Sequence, residues 1–315
     1  MMIRLKPEAF ARARHFLKAR ARPLERAMFE FRFEGAGADA VAVELAHFQN
    51  EDGGFGHALE PDLRTPSSSA LATGIGLRML RELGCSPEHP MVRKAVHYLL
   101  RTCDHRANVW RVAPEDSNAY PHAPWWHDED GSLARTFGGF LIIPRAELVA
   151  LLLHFSATVP HDWLHELAER TVADIEAVDP LGTGGGSDLI YALRLAETEQ
   201  LPTDLKRRLV SRVRSVIPAV VSHDAQEWES YVITPLRVAP SPRSSVADLL
   251  RQDVQAHLDY VIEHQKPEGT WDPTWTWGDS YPEVWKQARL EWRGKLTLET
   301  LTVLQAYDRI AEQSR

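Results

Sequence analysis

"FQNEDGGFGHALEPDLRTPSSSALATG", Phe48 to Gly74, closes one helical pattern, turns through glycines, sets Glu60, Asp62 and Arg64 around Pro61, and restarts as a second helical pattern. So much polar chemistry between two apolar segments raises the question of whether the arrangement recurs. It does. "VIEHQKPEGTW" shares its order with "LAHFQNEDGGF": a helix closing on Gln, three residues, Gly, one residue, then a large ring. The matched sets are Gln49/Gly53/Phe55 and Gln265/Gly269/Trp271. A Gln side chain can satisfy terminal backbone groups, Gly permits a turn closed to other residues, and the ring folds back over the helix end. A bland helix stop would explain one copy; two copies at identical spacing point to a repeated unit.

Outward from this stretch, apolar residues recur at three and four spacing in "DAVAVELAHFQ", "ALATGIGLRMLREL", "MVRKAVHYLLRTC", "RAELVALLLHF", "DWLHELAERTVADIEAV", "SDLIYALRLAE", "DLKRRLVSRVRSVIPAVV", "VQAHLDYVIEHQ" and "KLTLETLTVLQAYDRI". Strand-like alternation is nearly absent, so the chain is expected to be all-α. Pro7, Pro90, Pro144 and Pro202 mark first turns, and Pro160 precedes another. The opening segment, residues 1–31, reads as one amphipathic helix. "GCSPEHP", "SATVPHD" and "TEQLPTD" are short connections, which predicts antiparallel neighbours. The connections near 51–66, 104–143, 179–185 and 266–295 are richer in Gly, Pro, Trp, His and acids. Helices alternating between an outer and an inner layer would collect these loops on one rim, where a site is expected.

The 315 residues carry 36 Lys and Arg against 44 Asp and Glu, a formal net charge of −8. That balance argues against a general attraction to nucleic acid or anionic membrane. Cys85 and Cys103 form no disulfide framework and no CxxC pair, which fits a reducing compartment. No apolar run approaches the length of a bilayer span, and none near the start suits a signal peptide. The expectation is a cytoplasmic protein with no integral membrane association and no nucleic-acid partner.

The Gln49/Gly53/Phe55 and Gln265/Gly269/Trp271 sets resemble the QW repeat, QxxxGxW or its Phe variant, of the squalene-hopene cyclase and protein prenyltransferase superfamily. The direct match covers two stretches of about 35 residues. The resemblance implies a single-domain α/α toroid over residues 1–315, with about five to six inner/outer helix pairs. It also implies an isoprenoid or other elongated apolar substrate. The acid would be Glu60 with Asp62, or Asp128 with Asp130, and Trp125, Trp126, Trp275 and Trp277 would form walls. The family's chemical signatures are missing: no DxDD motif occurs, and adjacent Cys103, Asp104 and His105 do not reproduce the separated zinc ligands of prenyltransferases. No metal and no cofactor are therefore expected.

Three stretches carry candidate chemistry. In "LEPDLRTPSSS", Arg64 can orient one of two carboxylates while Ser67 to Ser69 cap the next helix, an arrangement able to keep one acid protonated and the other ionised. The structural alternative is a well-capped turn. In "NAYPHAPWWHDEDGS", His122, His127, Asp128 and Asp130 stand beside Trp125 and Trp126, whose faces suit a carbocation, a prenyl chain or a sugar ring. The alternative is a loop anchored by its rings. "GTWDPTWTWGDSYPEVWKQARLEWRG" adds Trp275, Trp277 and Tyr281 as further wall residues, together with Trp285 and Trp292. "PLGTGGGSD" lacks the GKS/GKT ending of a phosphate loop, and Asp188 is assigned to the cavity mouth. The rival readings are a carbohydrate-active hydrolase or lyase, for which acids and tryptophan platforms serve equally well, and a non-catalytic binding protein on the same scaffold.

Overall fold

Proline and serine set most of the helix starts. In the computed structural model, which describes residues 2–182 and 186–311, Pro7, Pro23, Pro90 and Pro282 occupy the first turn, where a missing N–H costs nothing. The Ser69 hydroxyl accepts from the Ala72 N–H at 2.9 Å and caps the helix after the Phe48–Gly74 turn. The helices are α1 (Pro7–Ala19), α2 (Pro23–Phe33), α3 (Ala38–Ala46), α4 (Ala70–Glu82), α5 (Pro90–Thr102), α6 (Ser132–Thr136) and α7 (Arg145–His154). They continue as α8 (His161–Ala177), α9 (Ser187–Ala196), α10 (Thr203–Val220), α11 (Pro235–Val238), α12 (Arg251–Glu263) and α13 (Pro282–Ala306). No strand occurs among the described residues, so the protein is all-α as its periodicity predicts. No helix among them is long and apolar enough to cross a membrane.

Two expected boundaries are corrected. The opening segment is two helices, because Pro23 cannot donate to a continuing ladder and starts α2 instead. The connection expected over 266–295 stops at Tyr281: Pro282 starts α13, and "VWKQARLEWRG" completes its first turns, taking Trp285 and Trp292 out of the loop.

The chain forms two compact units, a central one from Leu45 to Val216 and a terminal one from the segments up to Glu44 and from Ile217 onward. In the central unit, α7 packs against both α4 and α9, while α5 packs on α4 and α8 on α7. The sequence explains the layering. "RAELVALLL" is apolar nearly all round and buried from Arg145 to Leu153, whereas α5 and α8 bury one face and expose the other. An inner row thus carries an outer one. In the terminal unit, α1, α2 and α13 pack together, with Phe10, Phe29 and Phe33 forming an aromatic knot. On α12, buried His257 lies against Trp228, with ring centroids 4.4 Å apart, and its Nδ1 accepts from the Leu236 N–H at 3.3 Å.

The repeated motif folds the same way in both units. Gln49 Nε2 donates to the Gly53 carbonyl and to the Met91 carbonyl on α5, both at 2.9 Å. Gln265 Nε2 donates to the Gly269 carbonyl at 3.1 Å and to the Ala9 carbonyl on α1 at 3.0 Å. The Phe55 N–H donates to Thr73 Oγ1 on α4, and the Trp271 N–H to Thr297 Oγ1 on α13. Gly53 and Gly269 have φ of 93° and 91°, and a Cβ on either would come within 2.4 Å of helix backbone, at Lys94 O and Ala13 N. Positive φ and close approach both demand glycine.

Gly53→Ala and Gly269→Ala are each expected to destabilise their unit by more than about 2 kcal/mol in urea unfolding; a loss under about 0.5 kcal/mol would mean the approach is not needed. Burial pushes the His257 pKa down to about 3. The neutral ring's contribution is therefore complete above the unfolded value of about 6.5 and is lost as pH falls below it. Between pH 6.5 and 4.5 the wild type should lose up to about 1.4 kcal/mol per pH unit more than His257→Gln, and parallel curves would contradict this.

Candidate functional site

The first two candidate loops meet. Leu63 and His122 form an antiparallel bridge, the Arg64 N–H donates to the Pro121 carbonyl at 3.1 Å, and the Ala123 N–H donates to the Asp62 carbonyl at 2.9 Å. The hydroxyls of Thr65 and Ser67 reach Asp116 at 3.2 and 2.6 Å. Extended backbone at Leu63 and Arg64 thus lies along the segment 121–123. Glu60 and Asp62 are buried here, 8% and 2% exposed. Of the three serines, Ser69 caps α4, while Ser67 and Ser68 instead tie the loop to Asp116 and Asp52.

His122 and His127 form a directed pair. His122 Nδ1 lies 2.6 Å from the Tyr120 carbonyl, which can only accept, so that nitrogen carries hydrogen. A neutral His122 then offers Nε2 as an acceptor to Nδ1 of His127 at 3.1 Å. The ring centroids are 5.3 Å apart and the planes differ by 13°; with this nitrogen contact, that is an edge-to-edge bond. The remaining nitrogen of exposed His127, Nε2, is left as an acceptor. His122 is buried and fixes the tautomer of its neighbour.

Around this pair the other residues divide. Trp125, His127, Asp130 and Arg135 line an open, polar depression of about 460 Å³. Trp126 turns inward, stacks on Phe137 with centroids 5.4 Å apart, and has a buried Nε1 without a hydrogen-bond partner among the described residues. Asp128 accepts from the Leu133 N–H at 3.1 Å and pairs with Arg111 at 2.5 Å. The Leu133 N–H is the largest influence; burial opposes it, and with the charge and hydrogen bond of Arg111 added the carboxyl is held below the usual range. Those contacts suit an ionised anchor better than a proton donor. Asp188 accepts from the N–H groups of Gly182 and Leu189 at 3.1 and 2.8 Å, so its carboxylate stabilises the start of α9. Residues 183–185 of the glycine-rich loop lie outside the described residues.

One cluster escaped the sequence reading. Glu147 on α7 is buried and receives Arg78 of α4 on one oxygen and Arg194 of α9, at 2.8 Å, on the other. Burial pushes the Glu147 carboxyl up, but the charges of Arg194 and Arg78 outweigh it and hold it below the ordinary range. The Arg194 guanidinium sits over the Tyr191 ring, 5.2 Å from its centroid. Burial first, then the charges of Glu147 and Glu60, raise the Tyr191 phenol pKa, which brings Glu60 into the electrostatic reach of this cluster. A signal was present: a glutamate inside "RAELVALLL" must find cationic partners when the helix is buried on every side.

Trp275, Trp277 and Tyr281 belong to the terminal unit. Trp275 meets Tyr231 and Trp292 edge-on, Trp277 is buried against Trp285, and Tyr281 is 41% exposed. Among the described residues, no group of three or more His, Cys, Asp or Glu side chains is placed to hold a metal ion. No family model, curated protein or solved structure matches the chain.

Glu147→Gln leaves two guanidiniums facing a neutral amide and should cost about 1–3 kcal/mol, read by urea unfolding. The wild-type advantage should shrink as acid protonates Glu147, because its folded pKa is depressed: the contribution is present above about pH 4.5 and fades below it. Equal stability of both proteins at pH 7 would contradict the bridging role.

Proposed function

We propose that the central unit performs acid–base chemistry on a hydroxyl-bearing, saccharide-like substrate, as a hydrolase or lyase. The observation that supports this reading is the backbone pairing of two candidate loops at Leu63 and His122, one loop carrying buried Glu60 and Asp62 and the other the hydrogen-bonded His122 and His127. Glu60 is the proton donor to the leaving oxygen, and Asp62 is the second carboxylate such chemistry employs. His127 Nε2 accepts a substrate proton and His122 positions it. Trp125 offers its ring as a platform at the edge of the depression, where Asp130 and Arg135 supply hydrogen bonds.

The isoprenoid reading keeps the support of the shared hydrogen bonds of Gln49/Gly53/Phe55 and Gln265/Gly269/Trp271, as a QW-type toroid would use them. The inner row of α4, α7 and α9 under α5 and α8 fits an α/α toroid as well, and that ring is part of the proposal. An elongated apolar substrate, however, calls for an apolar lining, whereas the depression at Trp125 is polar and open. Hydroxyl groups match it better.

Incubating the full chain with neutral and acidic oligosaccharides, linear polyprenes and prenyl diphosphates, with products read by mass spectrometry, separates these readings. Saccharide turnover is expected, with Glu60→Gln lowering kcat by about 10²–10⁴-fold and His127→Gln by a smaller factor. Products from polyprenes alone would replace this reading with the isoprenoid one. Saturable saccharide binding without turnover would leave a binding protein.

A further inference from the structure

The open face of α8 takes no part in the proposed acid–base chemistry. "HDWLHELAER", His161 to Arg170, sets two imidazoles in HxxxH spacing at the start of the helix. Leu164, Leu167 and Ala168 are buried, whereas His161, His165 and Glu169, each four residues from the last, are exposed along one stripe. The two imidazole rings lie parallel, with planes 2° apart and centroids 6.5 Å apart. Each turns one nitrogen toward a carboxylate: His161 Nδ1 is 3.4 Å from Asp162 Oδ1, and His165 Nε2 is 3.5 Å from Glu169 Oε1. An ionised carboxylate only accepts, so it favours hydrogen on the nitrogen that faces it and leaves the lone pair on the other, His161 Nε2 and His165 Nδ1. Neither of those two atoms makes a hydrogen bond among the described residues.

We infer that His161 and His165 form a binding site for a borderline divalent transition ion, with Zn²⁺ as its representative. Imidazole suits such ions, whereas Mg²⁺ takes carboxylate, carbonyl and water oxygens. Residues four apart on a helix project from one face, so an ion held by the first imidazole meets the second at high effective concentration. Both rings are exposed, and rotation about their side-chain bonds brings a nitrogen of each to about 2 Å from a shared ion. Two ligands are fewer than a closed protein cage supplies, and water completes the coordination. Asp162, Glu166 and Glu169 outnumber Arg170 in this half of α8, which offsets the positive end of the helix and favours a cation. The site is independent of Glu60, Asp62 and His127, and it stands whether or not the central unit turns over a saccharide.

The test titrates the full chain with zinc chloride and, separately, with magnesium chloride, following backbone amide and imidazole nitrogen shifts by NMR. Saturable shifts centred on the first two turns of α8 are expected at Zn²⁺ concentrations where Mg²⁺ has no effect. His161→Gln and His165→Gln, which replace exposed side chains, should each weaken Zn²⁺ binding by at least about tenfold. His264→Gln, in the terminal unit where that ring stacks on Tyr260, should leave it unchanged. The double variant His161→Gln with Glu169→His restores the four-residue spacing to His165 and should recover most of the lost affinity. Shifts that arise elsewhere, that persist in His165→Gln or that Mg²⁺ reproduces would overturn the site. A double variant binding no more tightly than His161→Gln would overturn it as well. Saccharide turnover has no bearing on this readout.

Discussion

A single side-chain amide organises the central unit. Gln49 ends the polypeptide's approach through α3 and donates both hydrogens, one to Gly53 in its own turn and one to Met91 in α5. The first bond closes the turn; the second ties that turn to a helix 42 residues later in the chain. Gly53 makes the second bond possible, since only a residue without Cβ lets the turn lie against Lys94. Phe55 then has one available direction, down onto α4, where its N–H finds Thr73 and its ring lies against Gly76.

That turn in its place positions the loop beyond it. The segment from Gly56 to Ser69 is pinned at one end by Phe55 and at the other by the Ser69 cap, and its middle pairs with 121–123. Loops of this composition left to themselves would solvate their acids. Here the loop is fixed at both ends and along its middle, and Glu60 and Asp62 are buried within it. The Arg78–Glu147–Arg194 bridge does the corresponding work one layer inward, joining the three helices on which the loops stand. Breaking it would cost more than a surface ion pair, since charges left without partners there are only partly reached by water.

Much of this is legible in the residues. Periodicity and prolines locate most helices, and the spacing of Gln, Gly and ring finds the joint that both units share. The acid-rich and Trp–His-rich loops are expected to converge, and Leu63 with His122 brings them together in the central unit. Other features are not legible. Arg20 to Arg22 between α1 and α2 carry no strong breaker, and only Pro23 separates two helices with one apolar rhythm. Asp128 and Asp188 read as free acids because sequence does not show that Leu133, Gly182 and Leu189 aim N–H groups at them. The His122–His127 bond depends on the Tyr120 carbonyl, a backbone group that no residue pattern announces.

Native-state hydrogen exchange, comparing wild type with Gln49→Ala, tests most directly whether one amide joint holds the candidate site in place. The amides of Phe55, Arg64, Ser69 and Ala123, each bonded within or beside the loop, should be protected in the wild type and lose protection together in the variant, while those in the middle of α8 keep theirs. Unchanged protection at Arg64 and Ala123 in Gln49→Ala would show that the loops pair independently of the joint and would contradict the account.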